Sequence, residues 1–275
     1  MKLVVQGQQA LQHLSHIATL AGGGKFTHTT DNAYRLEVTA PAAGISAYCV
    51  AQRLDCAFVP EHLTLSNIGL LVMDMDSTLI AIECIDEIAD MFNIKPQVAA
   101  ITESAMRGEI EFAESLRRRV ALLKGLDESA LQRVYDERLK LSPGAEHMIA
   151  TLKANGVKTM LVSGGFTFFT DRLKQKLGLD FAEANVMNIV NGKITGNVLG
   201  ELLDAQAKAD YLTQTRLRLG LKQEQVIALG DGANDLKMMA VAGAGIAYHA
   251  KPVVQAQATF ALNYTGLEGV IGLLS

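Results

Sequence analysis

Long apolar runs are missing from this 275-residue chain: no uninterrupted stretch approaches the ~20 residues that cross a bilayer. A basic excess is missing too. Lys and Arg number 25 against 29 Asp and Glu, and the net charge of −4 leaves no electrostatic footprint for nucleic acid. Cysteine is scarce. The three residues, Cys49, Cys56 and Cys84, form no C-x-x-C pair, and an odd count argues against a disulfide framework. Cys49 and Cys56 are expected to be buried thiols, the usual fate of free cysteine. Glutamines interrupt the first eight residues too early for the apolar core of a signal peptide. Internal repeats and low-complexity tracts are absent. These absences predict a soluble cytoplasmic protein with neither nucleic acid nor membrane as partner.

What is present is a core and a change of pattern. Hydrophobic residues make up 49% of the chain, ample for burial, and the length suits two domains. The first 60 residues read strand (2–5), helix (8–20, with Leu11, Leu14 and Ile17-Ala18 on one side), then strands at about 25–30 and 33–39 turning on Asp31-Asn32. A helix over 45–54 and a strand at 56–59 follow. The order βαββαβ predicts a small α+β, ferredoxin-like domain over 1–66. It resembles the ACT-type regulatory modules, which implies an amino-acid-binding or dimerising role and a homodimer formed through this domain. His13 and His16 are expected to be solvated or half-buried on the first helix.

From Gly69 the pattern alternates strand and helix, the signature of a mostly parallel, doubly wound α/β sheet over 67–275. Strands are expected at 69–73, 157–162 and 225–229. Ser142 is the expected N-cap of the helix before the second of them, with Pro143 in its first turn. A helix over 205–219 precedes the third, and a hairpin spans 186–198 on Asn191-Gly192. The helical stretch at about 83–140 is too long for a crossover and reads as a cap over the strand ends.

Polar clusters follow the predicted strands: Asp74, Asp76 and Thr78; Ser163-Gly164-Gly165; and Gly230 to Asp235. Lys208 lies on the helix between the last two. Strand carboxyl ends converge on one crevice in such sheets. Asp74 and Asp76 repel each other there unless a cation or proton intervenes. Carboxylates without histidine suit a hard cation such as Mg²⁺. Glycine-turn N–H groups and a lysine suit a phosphate. Together they predict phosphoryl transfer.

Asp74-Met75-Asp76-Ser77-Thr78, Ser163, Lys208 and Gly230-Asp231-Gly232-x-Asn234-Asp235 are similar to the four motifs of the haloacid dehalogenase superfamily. The stretches Glu83-x-x-Asp86-Glu87, Ser115 to Val120 and Val162 to Phe166 resemble the phosphoserine phosphatases within it. The resemblance implies Mg²⁺-dependent hydrolysis of O-phospho-L-serine to serine and phosphate, the last step of the phosphorylated route to serine. It implies Asp74 as nucleophile and Asp76 as acid and base. Asp74, Asp231 and the Asp76 carbonyl would hold the metal, with Asp235 in support. Ser163, Gly164 and Lys208 would bind the phosphoryl group and Asn234 would orient groups near the metal.

Substrate reading falls to the insertion. Glu83 offers a partner for the substrate ammonium, and one arginine offers a bidentate partner for its carboxylate. At about 100° per residue, Arg119 shares a face with Phe112, Leu116 and Leu123, whereas Arg117 and Arg118 point away. Arg119 is the expected ligand, with Met106 and Phe112 as apolar walls. Two other readings remain open: a phosphatase or phosphotransferase acting on another small phosphate ester, or a signalling module that is phosphorylated without rapid turnover.

Overall fold

The structure, a computed structural model, describes residues 1–30, 32–107 and 109–275; of Met106 it describes the backbone. Asp31 of the expected turn and the Met106 side chain therefore lie outside the described residues.

The first strand decides how the N-terminal part sits. In β1 (Lys2–Gln6) every residue is buried. Leu3 and Val5 face one cluster with Ile17, Ile45 and Cys49, and Val4 faces a second with Val59, Leu71 and Met73. The two-residue side-chain period makes that division, and it puts a second layer on each face of the strand. On the first face lie α1 (Ala10–Leu20) and α2 (Ile45–Ala51). With β2 (Thr27–Thr30), β3 (Ala33–Glu37) and β4 (Asp55–Val59) the sheet order is β2-β3-β1-β4, and β1 is antiparallel to both neighbours. That is the expected ferredoxin-like arrangement. Three details differ. Leu11 is exposed, because the sheet meets the face that carries Ala10 and Ile17. The second helix stops at Ala51, where Arg53 turns the chain at φ 55°. Cys49 is buried on α2 as expected, while Cys56 on β4 is only half-buried.

The second sheet grows around β5 (Leu70–Met73), whose four residues are fully buried. Leu71 and Met73 join one core cluster, Leu70 and Val72 the other. After it come cap helices α3 (Cys84–Met91), α4 (Lys95–Met106), α5 (Phe112–Ala121) and α6 (Ser129–Arg133). The chain then runs through α7 (Ala145–Ala154), β6 (Lys158–Phe166), α8 (Thr167–Leu177), β7 (Phe181–Val190) and β8 (Lys193–Leu199). It ends with α9 (Ala205–Arg218), β9 (Val226–Gly230), α10 (Leu236–Val241), β10 (Ala244–Tyr248), α11 (Pro252–Gln255), β11 (Phe260–Leu262) and α12 (Glu268–Leu274). The order is β11-β10-β9-β5-β6-β7-β8, parallel except for the β7–β8 hairpin. That hairpin turns on Asn191 and Gly192, both at positive φ. Among the described residues no helix is long and apolar enough to cross a membrane.

The helix before β6 corrects one expectation. Its N-cap is Gly144 at φ 76°, not Ser142, whose carbonyl accepts the Ala145 N–H in a turn ahead of the helix. The Pro143 carbonyl is taken by the Leu267 N–H at 2.7 Å, so a tertiary contact delays the helix. The cap hangs from a narrow neck. Ile80 pairs antiparallel with Leu141, Ala81 N–H donates to the Lys140 carbonyl at 2.9 Å, and Ser142 N–H donates to Leu79 at 3.0 Å.

The two sheets are tied by Asp55, which is 3% exposed. Its carboxylate accepts the N–H groups of Asn263, Tyr264 and Thr265 (2.7, 3.0 and 2.9 Å) and the Thr265 hydroxyl (2.8 Å). Asp55→Ala strands those buried donors at a cost of about 3 kcal/mol. Thermal denaturation of the variant should show a midpoint lowered by several degrees; an unchanged midpoint would mean that the tie contributes nothing.

Candidate active site

The apolar run of β5 ends where its backbone is still laddered, since the Asp74 N–H donates to the Leu229 carbonyl at 3.0 Å. The chain then turns sharply. Asp74 Oδ1 accepts the Met75 N–H at 2.7 Å, and Ser77 adopts φ 55°. Asp76 Oδ1 accepts the N–H of Cys84 at 2.9 Å, which fixes the second carboxylate against the first cap helix. Thr78 is fully buried and its hydroxyl donates to Asp231 Oδ1 at 2.8 Å.

Lys208 brings the remaining strand ends in. It is 1% exposed, and its Nζ lies 2.7 Å from both Asp74 Oδ2 and Asp235 Oδ1. Asp235 is itself fully buried, with Oδ2 accepting the Gly232 N–H at 3.0 Å. Asp74, Asp231 and Asp235 each offer an oxygen within 4.8 Å of the others. Three carboxylates against one ammonium leave two negative charges uncompensated. Burial, then the charge of Asp74, pushes the Asp231 carboxyl up to about 6 against the Thr78 hydrogen bond. The same two causes raise Asp235, opposed by Lys208. Burial works against the Lys208 ammonium, but Asp235 and Asp74 outweigh it and hold it above the ordinary lysine value. An all-oxygen donor set with a surplus of two charges fits a hard divalent cation.

The phosphate-sized side of the crevice is built at the end of β6. Ser163 is fully buried and its Oγ accepts the Gly165 N–H at 2.9 Å. A Cβ on Gly165 would stand 2.9 Å from Asp76 Oδ2, and one on Gly164 would stand 3.2 Å from Phe112 Cζ. Only glycine lets these groups approach so closely. Asn185, 2% exposed, secures the segment by donating to the Gly164 carbonyl at 2.8 Å and accepting the Leu203 N–H. Burial raises the Asp76 carboxyl to about 6, with the Cys84 N–H opposing and the Asp74 charge assisting. Asn234 is half-buried beside Gly232.

The cap supplies charges of both signs. Glu83 Oε1 accepts the Ser77 hydroxyl at 2.7 Å. Solvent reaches this carboxylate through the cleft, yet the protein around it and the charge of Asp76 push it up to about 8. Arg119 is half-buried, and its Nε is buried without a hydrogen-bond partner. Burial lowers its pKa while the charges of Asp86, Glu83 and Asp76 oppose. Arg117 and Arg118 are exposed, and Arg118 pairs with Glu114 at 2.6 Å.

The crevice thus gathers Asp74, Asp76, Ser163, Lys208, Asp231 and Asp235, with Gly164 against Phe112 and with Glu83 and Arg119 at the cap side. Sequence reasoning missed Asn185, which lies between Glu183 and Asn188 in the same strand and carries no signal that sets it apart from them. It also gave no task to Ser77, Thr78 or the Cys84 N–H.

The family model that matches residues 68–243 is that of the haloacid dehalogenase-like hydrolases. A phosphoserine phosphatase of Polaromonas sp. is 50% identical over 217 residues, covering 77% of this chain and 92% of that protein. The crystal structure of a probable phosphoserine phosphatase from Vibrio cholerae superposes with a TM-score of 0.87 at 40% identity, covering 99% of this chain and 85% of that one. A phosphoserine phosphatase captured as an analogue of its phospho-aspartyl intermediate gives 0.71 at 38% identity, covering 76% and 99%. The chain belongs to the haloacid dehalogenase-like hydrolases and, within them, to the phosphoserine phosphatases.

Cation binding at the Asp74, Asp231 and Asp235 cluster should be linked to protons. Asp231 is raised to about 6, so below that pH its carboxyl is protonated and cannot ligate. Divalent-cation affinity measured by calorimetry should therefore fall between about pH 8 and about pH 5, with protons released on binding. Affinity that stays flat over that interval would exclude Asp231 as a ligand.

Proposed function

We propose that this protein hydrolyses O-phospho-L-serine to serine and phosphate with Mg²⁺, through an acyl phosphate on Asp74 (an aspartyl phosphate), and so completes the phosphorylated route to serine. The observation that carries the substrate choice is the unpartnered, buried Nε of Arg119 near Glu83, beside a crevice floored by Asp74, Lys208 and Asp235. Arg119 suits the substrate carboxylate and Glu83 its ammonium. Ser163, the Gly164 segment and Lys208 suit the phosphoryl oxygens, and Phe112 excludes water above Gly164. The name of the Polaromonas relative and the phospho-aspartyl analogue of the solved neighbour support this reading. Residues 1–66 are taken as a separate module, and 67–275 as the phosphatase with its cap at about 83–140.

In the first step an Asp74 oxygen forms a bond to phosphorus as the ester P–O bond breaks. Asp76, raised to about 6, gives its proton to the departing serine oxygen. In the second, the Asp76 carboxylate takes a proton from water. The water oxygen bonds to phosphorus, and the Asp74–phosphorus bond breaks. Asp74, Asp231 and the Asp76 carbonyl would hold Mg²⁺, with Asp235 in support. The cation supplies charge that offsets repulsion between the carboxylate and the phosphate dianion. Lys208 pairs with Asp74 and aims it, and Asn234 orients groups beside the cation.

Phosphate release from phosphoserine, followed with and without Mg²⁺, tests the activity. A strong preference for a sugar phosphate would overturn the substrate choice. Asp74→Asn should lower kcat by on the order of 10⁴ or more while the fold persists. Asp76→Asn should accumulate phosphoenzyme in single-turnover experiments. Arg119→Ala should cost about 2–3 kcal/mol with phosphoserine, roughly 30- to 150-fold in kcat/KM, and far less with an aryl phosphate.

A further inference from the structure

Ser77 sits between Asp76 and Thr78 with no part in the steps above. It is held in the left-handed region at φ 55°, where a residue with a Cβ is strained and glycine is at ease. Two hydrogen bonds close the loop that follows it. Its N–H donates to the Ile82 carbonyl at 3.1 Å, and its hydroxyl donates to Glu83 Oε1 at 2.7 Å.

We infer that Ser77 is a positioning residue that aims Glu83 at the substrate ammonium, so that specificity for an amine-bearing phosphate ester is set from within the nucleophile's own turn. The inference rests on the reading of Glu83 given above.

Two observations carry it beyond the bond itself. Among the described residues Glu83 accepts no other hydrogen bond, and the carboxylates of Asp76, Asp231 and Asp74 repel it, with the Arg119 charge acting the other way. Released from Ser77, the carboxylate would swing toward water and away from the other three. Ser77 is also only half-buried. It opens on a cavity of about 530 Å³ between the two sheets, lined by Gln6, Asn32, Tyr248, His249 and Glu268 among others. At the cavity the hydroxyl meets no packed wall, and the bond to Glu83 gives it a direction.

The test compares three esters with the Mg²⁺-loaded enzyme: phosphoserine, phosphoethanolamine, which has the ammonium alone, and 4-nitrophenyl phosphate, which has neither charge. Ser77→Ala and Ser77→Gly should each raise KM for the two ammonium esters about tenfold relative to the aryl ester, with kcat changed much less. Ser77→Gly removes the hydroxyl while relieving the left-handed backbone, so a loss it shares with Ser77→Ala is not owed to backbone strain. Equal losses on all three esters, or wild-type selectivity in Ser77→Gly, would overturn the inference. Glu83→Gln serves as the control. If it spares selectivity, the reading of Glu83 fails and the inference with it. If it abolishes selectivity while both Ser77 variants retain it, the positioning role alone fails.

Discussion

One buried ammonium holds the catalytic crevice together. Lys208 is delivered by α9, Asp74 by the end of β5 and Asp235 by the turn after β9, and their meeting point excludes water. In such surroundings the attraction is far stronger than at a surface, and losing any partner leaves an uncompensated buried charge. Lys208 neutralises only part of what it gathers. The remaining surplus suits the crevice to a divalent cation.

The same cost of burial sorts the other titratable groups. Asp76 and Glu83 are raised, while Arg119 is lowered. The crevice therefore stores mismatched charge on both its core and its cap side. A ligand that brings a phosphate, an ammonium and a carboxylate together with a metal would relieve all of it at once. Phe112 against Gly164 adds a steric condition: the cap reaches the cradle only because that position carries no side chain.

Much of this was legible before any coordinates. β5 stood out because burial on both faces demands an unbroken apolar run, and Asp74 and Asp76 because charge at its end needs an explanation. Arg119 was separable from Arg117 and Arg118 because helical geometry is regular enough to count on. What escaped reading depended on contacts far apart in sequence. β10 is rich in alanine and glycine, and β11 has three residues; pairing with neighbours makes them strands. Ser142 looked like an N-cap until Leu267 claimed the next carbonyl. Leu11 was placed on the wrong side because helical periodicity alone does not say which face the sheet will meet. Lys208 was recognisable as a motif lysine, but not as the bridge between Asp74 and Asp235, because only packing brings those carboxylates together.

The neck of the cap has a consequence for how this enzyme can be altered. Entry and exit strands pass each other at Ile80 and Leu141 within a single antiparallel bridge. The ends of the insertion are thus already closed on the core, and the entropy of that closure grows only slowly with the length inserted. On the roles proposed above, chemistry and recognition occupy largely separable pieces of chain, with Ser77 on the core side of the exchange point and Glu83 just beyond it. A graft made beyond Glu83 would inherit Asp74, the carboxylate cluster and Glu83 together, and would replace Arg119 alone among the charged groups proposed to meet the substrate.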